Sequence, residues 1–538
     1  MPHTLFNWIL SLLPILSVLV LMLGFKWGGM RAGALSWLVA VLIAFLAFGA
    51  NAEMLGYAQV KALLLALDVL TIVWGALLLL NIANEVGAIK RIGIEIPTLS
   101  RDKGIQVLLI AWMLTSFLQG MGGFGVPVAI AAPILVMLGY TPVTAVVMAA
   151  LGHSWSVNFG VMAAAFNALL GVTGLSKDVL VSPTAILLGI TIIPGGLLIA
   201  FIGGGWRGVR HLLPAVSIVG AAMALTQYLM AINGLEMLAA TDAVIIGTVT
   251  LLLVNRLPLY RRKPPAPEVS LNLADSKGVP ASSDPALRRN FWILISPYVF
   301  VIVLGFAIAL IKPLHELLNQ ASFSLTFPEI TTKLGWVTEG GPGKVFYPFA
   351  HPGMLMLYSC LFAAAIYGWR GYFGSGSAKR IVSRTLHGSV DTSLGVIAMV
   401  SMASIMSHSG MTNILARGIS ESIDRLIYPF FVPFMGVLGA FLTGSNNNSN
   451  VLFGVLNQEA AHMMGLSVPW ILAAQTAGGS IGSVMAPAKL MVGAITVGLD
   501  QKEGLILSKL IVYELILVSI VALAVTLASA LLLSGVGQ

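Results

Sequence analysis

Two polar, glycine-rich interruptions, 324 residues apart, break long apolar runs in this chain. The first is Phe117-Leu118-Gln119-Gly120-Met121-Gly122-Gly123-Phe124-Gly125, and the second runs from Phe441-Leu442-Thr443-Gly444-Ser445 through Asn446-Asn447-Asn448-Ser449-Asn450. Each is followed by an apolar helix, a Gly and a Pro near its end, and another polar gap, at 152–160 and 476–483. Backbone that leaves a helix inside a bilayer must be buried in protein or line a wet cavity, because lipid cannot satisfy its N–H and C=O groups. Paired interruptions at matching places in two halves point to a transporter's substrate site.

The bilayer itself follows from composition. Of 538 residues, 58% are hydrophobic and 9% charged, where soluble domains carry about a quarter of their residues as charges. Runs long enough to cross a membrane recur at 7–25, 32–49, 184–203, 213–232, 237–255, 291–312 and 507–533. The net charge of +8 sits in short clusters between these runs and reads as a topology signal, not a nucleic-acid surface. The single cysteine, Cys360, excludes a disulfide framework and a multi-thiolate metal site. No Lys or Arg precedes the first apolar run and no cleavage site follows it, so 7–25 is expected to be a retained first span.

Organisation follows from the basic clusters. The polar, proline-bearing segment 257–290 reads as a cytoplasmic linker, flanked by Arg256, Arg261, Arg262, Lys263, Arg288 and Arg289. The loop 313–352 then falls outside. Asp68 and Gly87 recur as Asp391 and Gly410 at one offset of 323 residues, and Gly120 recurs as Gly444. The helix after Lys61 must run toward the cytoplasm, whereas its counterpart runs away from the basic loop at 370–384, so the halves are inverted. Segments 105–118 and 126–138 each cover only about 20 Å at 1.5 Å per residue, short of a core of about 30 Å. They are read as a re-entrant hairpin, 105–138, matched by a second at 431–464.

The expected fold is an all-α polytopic membrane protein with about 12 transmembrane helices and two re-entrant hairpins in two inverted-topology repeats. Its parts are N-terminal scaffold helices (1–60), a first repeat (61–256), the linker (257–290), scaffold helices with the external loop (291–384) and a second repeat (385–538).

At Gly123-Phe124-Gly125-Val126-Pro127-Val128-Ala129-Ile130 and Phe441-Leu442-Thr443-Gly444-Ser445 the sequence resembles the lactate permease family, with weaker support at Ser409-Gly410, Asn450 with Leu452-Phe453, and around Pro487. The resemblance extends over most of the chain. It implies a proton-coupled symporter of L-lactate, D-lactate or glycolate in the bacterial cytoplasmic membrane, with hairpins like those of the larger ion-transporter superfamily and no cofactor. Where family members often carry an acid before the first hairpin glycine, this chain has Gln119. Where an Asp commonly follows the second Gly-Ser, it has Asn446, and the cation near Pro487 is Lys489 in place of one near Ser483. A neutralised acid cannot relay a proton. Together with the Asn run, which suits a hard cation, this leaves a sodium-coupled carrier of another small organic anion as the alternative.

A carboxylate substrate needs donors and positive charge. Glycines at 120, 122, 123 and 125, and at 444, 478, 479 and 482, let backbone N–H groups approach a small ligand; close helix packing is the other reading. The substrate-binding candidates are Gln119, Gly120, Gly123, Gly125, His153, Ser154, Asn158, Thr443, Ser445, Asn446, Asn448, Ser449, Thr476, Ser480 and Lys489. Lys489 would offset the substrate charge unless it snorkels to an interface. The Asn run supplies amides unless it is a turn outside the membrane. His153 could donate to a carboxylate or take a proton, or be held by a structural hydrogen bond. Asp68, Asp391 and His153 are the leading coupling candidates, with Glu85 and Glu459 behind them; Asp68 and Asp391 could equally mark helix ends. No Walker A or HExxH motif is present, and no acid–His cluster suggests an enzyme or a metal site. A passive channel stays open as a different class.

Overall fold

The computed structural model describes residues 4–25, 27–123, 125–261, 289–342, 345–499 and 503–535. The chain opens with α1 (Leu5–Leu23), α2 (Gly29–Ala47) and the long α3 (Ala52–Glu85), capped by the Asn51 side chain, which accepts from the Met54 N–H at 2.7 Å. Gly87, at φ 73°, stops α3 and turns the chain into α4 (Ala88–Glu95). Next come α5 (Lys103–Val107), a π-helical stretch at Leu108–Leu114, and α6 (Thr115–Met121) in one continuous rod, then α7 (Val126–Met137). The half ends with α8 (Pro142–Leu151), α9 (Gly160–Thr173), α10 (Lys177–Met230), α11 (Ala239–Val254) and the short α12 (Pro258–Arg261).

The second half begins with α13 (Phe291–Leu310), α14 (Lys312–Asn319) and α15 (Pro352–Trp369). It then repeats the order of the first: a long α16 (Ser377–His408), a left-handed glycine (Gly410, φ 82°) and a short α17 (Met411–Ser422). The pair α18 (Tyr428–Thr443) and α19 (Asn446–Met463) follows, joined at Gly444. Last are α20 (Val468–Ser483), α21 (Pro487–Thr496) and the long α22 (Glu503–Gly535).

Ten helices among the described residues are long and apolar enough to cross a membrane, or eleven if the bent pair α8–α9 is one span. That count treats Lys177–Leu235 as one. At 1.5 Å per residue the 54 residues of α10 would reach about 80 Å, far beyond a bilayer. Gly205, at φ 60° and ψ −155°, divides it.

Several details differ from the sequence reading. Segment 476–483 is helical, not a gap: α20 runs unbroken to Ser483, and the break falls at Val484–Ala486. The cause is Pro487, which cannot continue a helix and holds Ala486 at ψ 130°. The run Asn446–Asn450 is likewise helical, forming the first turns of α19, so the hairpin tip narrows to Gly444-Ser445. The rod Lys103–Met121, at 19 residues, is longer than the segment 105–118 and has the length of a span. The loop 313–352 is not all helix and coil. It carries β1 (Thr326–Phe327) paired with β4 (Gly341–Pro342), and β2 (Ile330–Thr331) paired with β3 (Val337–Thr338). The linker 257–290 lies outside the described residues from 262 to 288.

Candidate functional site

The break between α8 and α9 lies against α20 and the first turns of α19, where sequence-distant amides and hydroxyls form one hydrogen-bonded cluster. Asn158 is its hub. Its Oδ1 accepts from Thr476 Oγ1 at 2.6 Å and from Asn446 Nδ2 at 3.2 Å. Its backbone N–H donates to Ser480 Oγ at 3.2 Å, and that hydroxyl donates to the Ser154 carbonyl at 2.7 Å. Asn446 Nδ2 also reaches the Thr476 carbonyl at 3.2 Å, while Asn450 Nδ2 donates to Thr476 Oγ1 and to the Ala165 carbonyl, each at 2.8 Å. Gln475 Nε2 closes the far side on Asn450 Oδ1 at 3.1 Å. Asn158, Thr476 and Ser480 are wholly buried and Asn446 is 2% exposed.

The cluster is not saturated. Asn158 Nδ2, Asn446 Oδ1, Asn448 Oδ1 and Gln475 Oε1 are buried without a hydrogen-bond partner. An unsatisfied buried polar atom costs about 1–3 kcal/mol, and the three on Asn158, Asn446 and Gln475, within one bonded cluster, mark a place where a polar ligand gains most.

The break is held from behind. Ser116 Oγ donates to the Gly152 carbonyl at 2.9 Å and accepts from Trp155 Nε1 at 3.1 Å. His153 is buried, and its Nδ1–H donates to the Ala149 carbonyl at 2.9 Å, the structural bond weighed as its alternative role. Beyond Gly160, Val161, Met162 and Ala163 sit at φ 50°, 54° and 58°. Left-handed backbone costs an L-residue about 1–2 kcal/mol, and strain of this kind concentrates at functional sites.

The remaining candidates divide. Gln119 and Gly120 end α6, both buried, and Gly120 abuts Thr241 of α11. Gly123 and Gly125, at φ 57° and 85°, make the turn into α7. Gly125 faces Lys489, whose Cα lies 3.7 Å from where a Cβ on that glycine would stand. Lys489 is half-buried in the first turn of α21, and no carboxylate pairs with it among the described residues. Ser449 Oγ is used on the Gly436 carbonyl at 2.8 Å and ties α19 to α18, whereas Thr443 Oγ1 is used on the Gly439 carbonyl of its own helix at 2.8 Å. Ser445 sits at the N-cap of α19, half-buried, with no side-chain cap bond.

Asp68 is buried on α3 and pairs with His351 at 3.2 Å. His351 Nδ1 accepts from the Gly353 N–H at 3.1 Å, so its Nε2–H points to the carboxylate. Asp391, by contrast, is exposed on α16. The hydrogen bonds of the Asn158 cluster include neither. Glu85 forms ion pairs with Arg380 and Arg384, and Glu459 accepts from Asn413 Nδ2 at 3.4 Å.

Four residues of this region are not among the site candidates read from the sequence. Asn450 was read as part of the polar run and of the family resemblance but not as a binding residue, and Gln475 sits one residue before the assumed gap. Asp242 is buried beside Thr241 with Oδ2 unpartnered. Glu514 is wholly buried in α22 with both carboxyl oxygens unpartnered. The available signal for Glu514 was a lone acid inside the apolar run 507–533.

Residues 7–532 match the family model described as L-lactate permease. The chain is 26% identical to the glycolate permease GlcA of Escherichia coli, over 98% of this chain and 96% of the relative. It is 27% identical to the L-lactate permease of Streptococcus iniae, over 87% and 94% respectively. The Bacillus subtilis L-lactate permease is 26% identical over 92% of each chain. Among solved structures, the Alcanivorax borkumensis YdaH transporter aligns with 88% of this chain and 87% of its own, at 15% identity and a TM-score of 0.46.

Proposed function

The chain belongs to the L-lactate permease family, a multi-pass membrane protein of the bacterial inner membrane, and on that premise we propose that it imports a small 2-hydroxy monocarboxylate such as lactate or glycolate with a proton, by alternating access. The observation that carries this reading is a pair of unpartnered atoms on the two hydrogen-bonded amides of the hub: Asn158 Nδ2, a donor, and Asn446 Oδ1, an acceptor. A 2-hydroxy acid presents the complement, carboxylate oxygens that accept and an α-hydroxyl that donates. Lys489, without a carboxylate partner among the described residues, supplies the charge that offsets the anion.

The finer architecture we infer is 12 spans and two re-entrant hairpins, 105–138 and 431–464, in inverted repeats at 61–256 and 385–538. Scaffold helices occupy 1–60 and 291–384, with 257–290 cytoplasmic and 313–352 outside. The shared order of long helix, left-handed glycine, short helix, paired helices and broken helix supports the repeat. The division of α10 at Gly205 supports the count. The amide-rich start of α19 favours sodium as the other coupling ion, which transport under separate gradients tests.

The test of substrate class is counterflow of labelled L-lactate into proteoliposomes preloaded with unlabelled lactate. Saturable counterflow competed by glycolate is expected, and Lys489→Met should raise the half-saturating concentration by at least about tenfold, the lower end of a charge-assisted bond of about 1.5–3 kcal/mol. Unchanged affinity in that variant would remove Lys489 from the site. Linear, non-competable flux would indicate a channel.

A further inference from the structure

With Gln119 and Asn446 neutral, the hairpin tips hold no acid to carry a coupling proton. One carboxyl stands elsewhere at the right depth. Glu514 lies eleven residues into α22, about 16 Å from its start at 1.5 Å per residue, near the middle of a core of about 30 Å. It is 0% exposed, and neither carboxyl oxygen has a hydrogen-bond partner among the described residues. The side chain facing it is Ser154, in the α8–α9 break, whose hydroxyl donates to the Leu151 carbonyl at 3.0 Å. A carboxylate in this place meets, among the described residues, only the Ser154 hydroxyl, which is already given to the Leu151 carbonyl, whereas a carboxyl bearing a proton can itself donate to Ser154 Oγ.

The same Ser154 accepts through its carbonyl from Ser480, and Ser480 accepts from the Asn158 N–H. Glu514 and the Asn158 hub therefore hold opposite sides of one short turn. Other titratable groups arrive on the helices packed against α22. Tyr428 comes from α18 and is bonded to Asn457 at 2.7 Å. Lys177, Asp178, Arg207, Arg210, His211 and Tyr228 come from α10, Lys489 from α21, and His153 from the break itself, while α8 and α20 bring none. Lys509 and Tyr513 share α22 with it. None of these pairs with the Glu514 carboxyl.

We propose that Glu514 is the proton-binding carboxyl of this transporter, coupled to the Asn158–Thr476–Asn446 hub through the Ser154 turn. Uptake of a proton from the outer side gives Glu514 its bond to Ser154 Oγ and fixes the break in the form that presents Asn158. Loss of that proton on the inner side frees the turn and weakens the hub's hold on the substrate. The coupling is reciprocal, so substrate binding also draws a proton onto Glu514.

This inference rests on the transport reading, and its test separates the two. Labelled L-lactate is followed in proteoliposomes of the full chain in two modes: exchange at equal pH with lactate on both sides, and accumulation under an inward proton gradient. Glu514→Gln is expected to exchange within about threefold of the unmodified protein and to lose proton-driven accumulation at least tenfold. Accumulation within twofold of the unmodified protein overturns the role of Glu514 and leaves the transport reading intact. Absence of exchange in the unmodified protein overturns both. If Glu514→Gln loses both modes, Glu514→Asp decides: accumulation restored with a displaced pH profile supports a proton site, and none restored assigns Glu514 to structure.

Discussion

Gly478→Ala should leave no functional transporter. A Cβ at this position would stand inside contact distance of the Pro433 carbonyl oxygen, backbone that cannot step aside. The contact is reciprocal: a Cβ on Gly436 would strike the Gln475 carbonyl, and one on Gly482 would lie 2.5 Å from Val437 Cα. Helices α18 and α20 thus touch backbone to backbone along Gly436, Gly478 and Gly482, the close approach that small residues allow in membranes. Overpacking a core costs about 1–3 kcal/mol and more when backbone must move. Here the displaced helix carries Thr476 and Ser480, so the hub goes with it. Size-exclusion profile and counterflow check this together: Gly478→Ala should aggregate or fall to background, while Gly56→Ala, with nothing within 4 Å, should behave as the unmodified protein. A monodisperse, active Gly478→Ala would mean that α18 and α20 do not cross as described.

Asn158→Ala should abolish transport in a protein that still folds. The substitution removes the acceptor of Thr476 and Asn446 and the unpartnered Nδ2 assigned to the substrate carboxylate, while the backbone bond to Ser480 survives. Loss of the substrate bond, together with release of the two side chains that Asn158 holds in place, is expected to lower affinity roughly 100-fold, about 2–3 kcal/mol. Counterflow at low lactate reads it. A loss about tenfold smaller in Thr476→Val would place the two in one network, whereas normal counterflow in Asn158→Ala would move the substrate elsewhere.

These two predictions also show what was legible in the sequence. Turns that need left-handed backbone announced themselves: Gly123, Gly125 and Gly444 all sit at positive φ where the polar interruptions were read. Glycines at 478 and 482 carried the same letter for another reason, close packing inside an unbroken helix, and sequence alone does not separate the two uses. The break instead follows the proline, at Val484–Ala486, because Pro487 removes the N–H and restricts its neighbour. Asn446–Asn450 looked like loop because amides are rare in apolar helices, yet Asn446 and Asn450 turn their amides into the hub and the helix survives. Glu514 was passed over because hydropathy averages a single acid away in a run of leucines and valines. Its meaning depends on Ser154, 360 residues earlier in the chain.

Accumulation of labelled L-lactate in proteoliposomes under an inward proton gradient, with sodium absent, tests the central claim most directly. The account predicts concentrative uptake that collapses with an uncoupler, carried without an acid at either hairpin tip. Uptake that appears only with an inward sodium gradient, or a folded protein that moves no lactate under either gradient, would contradict it.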